Sequence, residues 1–135
     1  MSRSIFVNLP VKDLERSTGF YKQLGFGQNL QFSDETAACI VISDEIYAML
    51  LTEPKFQGFA PREISDATQA NEVLLALSCE SRDEVDDMVR KAVAGGGATY
   101  NQPQDLGFMY SHGFQDPDGH VWEVLHMDPS AISQT

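Results

Sequence analysis

The chain has 135 residues, 42% of them apolar, and its nine basic residues against 20 acidic ones leave a formal charge of −11. That length suits a single domain with room for a real core. So acidic a surface repels phosphate backbones and anionic lipid heads, so neither nucleic acid nor membrane is an expected partner. Apolar runs stay short: Ala37 to Ile42 is six residues, far below a membrane span. No apolar stretch of signal-peptide type follows Met1-Ser2-Arg3-Ser4, and a cytoplasmic location is expected. Cys39 and Cys79 sit inside strand-like apolar runs. Two buried free thiols are the expectation, with a disulfide or a reactive thiol as the alternatives.

In chain order, Ile5 to Pro10 reads as a strand. Asp13 then caps a helix whose inward stripe is Leu14, Ser17, Phe20, Tyr21 and Leu24, and Gly25 stops it. Three further strands are expected near Gln28–Phe32, Ala37–Ile42 and Ile46–Thr52. The connection Glu53 to Asn71 is 19 residues long, so it should hold a short helix or carry a role. Pro54, Gly58 and Pro61 interrupt it, and Phe56 and Phe59 need a surface to bury against. A packed linker, a lid and an arm reaching another subunit all remain open.

The second half repeats the plan. Glu72 to Cys79 reads as a strand, and Ser81-Arg82-Asp83-Glu84 as a capping box. Val85, Met88, Val89, Ala92 and Val93 follow at helical spacing, and Gly95-Gly96-Gly97 ends that helix. Strands are expected near Ala98–Gln102, Met109–Gln115 and Val121–Met127. The offset between the copies is about 68 residues. The expected fold is α+β: two βαβββ modules, each a curved mixed sheet with its helix on the outer face. Module one spans about 1–53, the linker 54–71, module two 72–127, and a C-terminal tail 128–135.

Two segments carry a resemblance. Asp116-Pro117-Asp118-Gly119-His120-Val121-Trp122-Glu123-Val124 is a tight turn feeding a strand, and Val11-Lys12-Asp13-Leu14-Glu15-Arg16-Ser17 opens a helix. Together they resemble the vicinal oxygen chelate superfamily of glyoxalase I, bleomycin-resistance proteins and extradiol dioxygenases. With Phe108-Met109-Tyr110, the pattern looks like the bacterial subgroup labelled predicted lactoylglutathione lyase. The resemblance implies four metal-ligand positions, on the first and fourth strands of each module. They fall on Phe6, near Met49, on Leu74 and on Glu123. Hard divalent ions need several oxygen or nitrogen donors, and this set offers one carboxylate. No metal is therefore expected; a register error in these strands would reopen Ni, Zn, Mn or Mg.

His120-x-x-Glu123-x-x-His126 suggests a ligand cluster only on a helix; on a strand, parity turns Glu123 away from both histidines. His112 follows Ser111, but no nucleophile-elbow motif accompanies them. The candidate pocket is the set of same-face positions: Phe6, Asn8, Tyr47, Met49, Leu51, Glu72, Leu74, Ser111, Val121, Glu123 and Leu125. The proposed ligand-binding residues among them are Phe6, Asn8, Tyr47, Met49, Glu72, Leu74, Ser111 and Glu123. Large apolar walls with sparse polar groups describe a small-molecule site. In such surroundings the Glu123 charge is desolvated, which raises a carboxyl's pKa and suits a general acid or base. The alternative is a structural carboxylate hydrogen-bonded to Asn8 or Tyr47.

Two functions follow from the resemblance. One is a metal-free binder of a small molecule, as in the bleomycin-resistance branch. The other is a lactoylglutathione lyase-like enzyme, or another metal-dependent lyase, isomerase or dioxygenase. Two open curved sheets leave edges to cover, so a homodimer is expected, with modules side by side or exchanged.

Overall fold

The computed structural model describes residues 2–132. The chain divides into two compact units, Met1–Asp66 and Ala67–Thr135. In the first, strand β1 (Ile5–Val11) leads to helix α1 (Leu14–Gln23), then to β2 (Gly27–Asn29), β3 (Ala37–Val41) and β4 (Ile46–Thr52), and helix α2 (Glu53–Phe59) follows. In the second, β5 (Leu75–Ser78) precedes helix α3 (Arg82–Ala94), then come β6 (Gln104–Asp105), β7 (Met109–Gln115), β8 (Val121–Met127) and a short helix α4 (Pro129–Ile132). The last three residues of the expected tail, 133–135, lie outside the described residues.

Both units carry the same topology. The sheet orders are β1-β4-β3-β2 and β5-β8-β7-β6. The pairs β1–β4 and β5–β8 are parallel, and the others are antiparallel. Each module is therefore βαβββ with a mixed sheet, as the repeat requires. Among the described residues no helix is long and apolar enough to cross a membrane.

The helices form where their caps stand. The Asp13 side chain accepts from the Arg16 N–H at the start of α1, satisfying a donor the helix leaves open. Ser81 accepts from the Glu84 N–H at the start of α3. The Glu84 carboxylate reaches back to accept from the N–H of Glu80, one residue before the usual box partner Ser81. The amphipathic stripes then dock. Phe20 and Tyr21 of α1 are buried with Leu9, Ile40, Ala48 and Leu50 of their sheet, and Val85, Val89 and Ala92 of α3 with Phe114, Trp122 and Val124. Each large side chain so buried contributes about 1.5–3 kcal/mol. Met88 is half-buried, and Val93 stays 49% exposed at the edge of its stripe.

The Asp-Pro-Asp-Gly turn before β8 is held from inside and outside. The buried Asp116 carboxylate accepts from the N–H groups of Asp118 and His120. Gly119 takes φ +91°, and a Cβ there would lie 2.9 Å from the Ala67 carbonyl carbon and oxygen. Only glycine meets both demands.

Four expectations need correction. The strand near Gln28–Phe32 ends at Asn29, because the Asn29 carboxamide accepts from the Gln31 N–H and a 3-10 turn, Leu30–Phe32, follows. The strand expected from Glu72 begins only at Leu75. Its ladder starts at Leu75 opposite Trp122, and the stretch before β8 is the turn, which offers Glu72 no partner. The strand expected at Ala98–Gln102 is a single bridge, Ala98 to Gln115. There the side chains of Thr99 and Asn101, not their backbones, take the hydrogen bonds of Gly113. Finally, Phe59 remains 69% exposed although α2 packs on β1 and β4.

Candidate functional site

Ladder register places the candidate residues in two sets, one per module. In module one, Phe6 pairs with Tyr47 and Asn8 with Met49. These side chains lie on the sheet face away from α1, since the alternate residues Ala48 and Leu50 are the fully buried ones. The Phe6 and Tyr47 rings stack at 4.6 Å with planes 9° apart. The Tyr47 hydroxyl donates to the Asp44 carbonyl, and the Asn8 amide to the Phe6 carbonyl. Further along, Asn8, Leu51, Phe56, Phe59, Ala60 and Pro61 line a cleft of about 550 Å³ between the sheet and α2. The Phe56 and Phe59 walls were not among the sequence candidates, although their place in a long connection between strands was the available signal.

In module two, Glu123 pairs with Ala76 on one side and with Gly113 on the other. It is half-buried, while its neighbours Trp122 and Val124 face α3 and are buried. Ser111, nearly enclosed, and Leu125 form the next rung of the same face. Leu74 sits just before β5, 71% exposed. Glu72 lies outside any strand and is exposed, so it does not join this face.

The histidines go elsewhere. His126 has the opposite parity to Glu123, and its Nδ1 donates to the Cys79 carbonyl at 3.1 Å. His120 lies in the turn, outside the strand. His112 turns away from Ser111, with Nε2 2.9 Å from the Asn101 carbonyl oxygen and 3.0 Å from Thr99 Oγ1. Cys39 and Cys79 are buried and free. Burial, with help from the Glu84 charge, pushes the Cys79 thiol up to about 12, and burial also raises Cys39.

Tyr100 is the residue that sequence reasoning missed. A Cβ at Gly113 would fall 2.2 Å from its hydroxyl oxygen and 2.5 Å from Cζ. The hydroxyl end of the phenol thus occupies the space over Gly113, the ladder partner of Glu123. Burial raises the Tyr100 pKa, and the Glu123 charge raises it further. The signal was the lone glycine inside a strand, which often marks a close approach.

The fold and these positions can be set beside known proteins. Residues 4–124 match the family described as Glyoxalase/Bleomycin resistance protein/Dioxygenase superfamily. The chain belongs to that superfamily. Its structure is similar to hypothetical protein SA1046 from S. aureus, with 33% identity, a TM-score of 0.79, and 93% and 94% of the two chains covered. It is also similar to protein ATC0852 from Agrobacterium tumefaciens, with 26% identity, a TM-score of 0.70, and 94% and 98% covered. A glyoxalase-related enzyme from Fulvimarina pelagi shares the fold at 20% identity and a TM-score of 0.79, with 93% and 88% covered. A comparison with curated proteins finds no match.

Within this superfamily fold, the offset of the repeat makes Met49 and Glu123 equivalents. Asn8 shifted by 68 is Ala76, and the ladder partners of those two residues are Met49 and Glu123. Of the four ligand positions expected from the resemblance, Glu123 brings a hard donor and Phe6, Met49 and Leu74 bring none. Such a set does not fit Mg²⁺, Mn²⁺ or Ni²⁺. Among the described residues no three His, Cys, Asp or Glu side chains are grouped so as to hold a metal ion.

Proposed function

We propose that this superfamily member binds a small molecule on the mostly apolar sheet face around Glu123, without a divalent metal. The observation that supports the reading is the donor chemistry of the four expected ligand positions: Glu123 is a carboxylate, and Phe6, Met49 and Leu74 bring no hard donor. A thioether and hydrocarbon cannot replace the water shell of a hard ion. Within its own module, Val121 and Leu125 beside Glu123 suit the apolar body of an organic ligand, and Glu123 supplies a polar contact. The same reading includes a cytoplasmic homodimer, in which a second copy covers open sheet edges.

Elemental analysis of protein purified without chelator tests the metal clause. Less than about a tenth of an equivalent of Ni, Zn, Mn and Mg is expected. About one equivalent per chain would replace this reading with a lactoylglutathione lyase-like or other metal-dependent enzyme. Light scattering after size exclusion tests the dimer, which a monomeric mass would overturn.

A further inference from the structure

We propose that the Tyr100 hydroxyl and the Glu123 carboxylate form a donor–acceptor pair that binds an uncharged carboxamide. The inference rests on the reading of the Glu123 face as the ligand site, and it names the ligand chemistry of that site.

Three observations carry it. First, Gly113 and Glu123 are direct ladder partners, and the Tyr100 phenol occupies the space that any side chain at 113 would fill. Ladder partners on one face stand about 5 Å apart, so the hydroxyl and the carboxylate are neighbours. Second, the phenol is held in place. Thr99 Oγ1 donates to the Gly113 carbonyl at 2.7 Å, and the Gly113 N–H donates to Asn101 Oδ1 at 3.1 Å. The residues on either side of Tyr100 are thus tied to the glycine beneath it. Third, the neighbours along the face are mostly apolar: Val121 and Leu125 flank Glu123 along its strand and Ala76 lies opposite, with Ser111 the polar residue on the next rung.

Chemistry then selects the ligand group. Burial and the nearby Glu123 charge both favour the protonated phenol, which therefore serves as a donor. The carboxylate is an acceptor. A carboxamide presents a carbonyl oxygen to the first and an N–H to the second. An ammonium ion would satisfy Glu123 but leave the phenol O–H without an acceptor from the ligand. A carboxylate ligand would meet the repulsion of Glu123. A polar group that a bound ligand covers and leaves unpaired costs more than an added hydrogen bond gains, so the matched group is preferred.

The test uses three probes of one shape: benzamide, benzylammonium and benzoate, titrated into the full-length protein and followed by amide NMR shifts. Benzamide is expected to move the Gly113 and Glu123 signals and to bind at least about fivefold tighter than the other two. Tyr100→Phe, which keeps the ring over Gly113, should weaken benzamide about five- to tenfold. Gly113→Ala should weaken it too, by displacing the phenol; if that variant fails to fold, Tyr100→Phe alone decides. Unchanged affinity in Tyr100→Phe, tighter binding of benzylammonium, or no benzamide shift at these residues would each overturn the proposal. Should Glu123→Leu abolish binding while Tyr100→Phe does not, Tyr100 loses its role and the Glu123 site keeps its own.

Discussion

In module one the ladder partner of Asn8 is Met49; in module two the equivalent partner of Ala76 is Glu123. The strand orders match, and so do the parallel pairing and the packing of the helix on one face. The open faces differ. Module one presents a stacked Phe6–Tyr47 pair, and module two presents a carboxylate beside a phenol laid over glycine. The comparison teaches that the helix-side residues maintain the duplicated scaffold, while the other face of each sheet is free to diverge. Packing constrains the first to interdigitated apolar shapes. The second carries partly exposed side chains such as Phe6, Tyr47 and Glu123, whose types packing constrains less.

The strongest way to break that division is to remove helix-side bulk. Phe20→Ala in module one and Trp122→Ala in module two should each cost about 3–5 kcal/mol in urea unfolding. A large cost in one module and none in the other would end the equivalence of the scaffolds. A smaller effect tests the glycine turn between β7 and β8, where module one joins β3 to β4 through Ser43-Asp44-Glu45 without a glycine. Gly119→Ala should lose about 2–3 kcal/mol, since it combines a left-handed backbone with a clash against Ala67; a neutral result would remove the turn's structural role. The smallest expected effect sharpens the symmetry. Asp13→Ala and Ser81→Ala should each cost about 1 kcal/mol, because each removes one cap from an otherwise similar helix. Circular dichroism melts of the two variants should therefore nearly coincide.

Much of the scaffold was legible from the chain alone because caps, stripes and repeat offset are local signals. Asp13, Ser81 and the two inward stripes stand where helical spacing puts them. Parity alone placed Glu123 apart from His126, and the structure agrees. Edges were less legible. The segment 98–102 has strand-like residues, yet Thr99 and Asn101 side chains replace its backbone ladder. Glu72 looked like the start of a strand, but pairing depends on where its partner begins, and β8 begins too late. Tyr100 was missed for a related reason: its position follows from a glycine 13 residues away, a tertiary relation that no local pattern encodes.

The two enclosed thiols have a practical consequence. With Cys79 held protonated far above neutrality and Cys39 raised as well, neither supplies the thiolate that maleimides and methanethiosulfonates attack. A cysteine introduced at exposed Leu74 would then react alone in the native protein. One spin label or fluorophore per chain could be attached there without first deleting either native cysteine, and label-to-label distances would report directly on the proposed pairing of two copies.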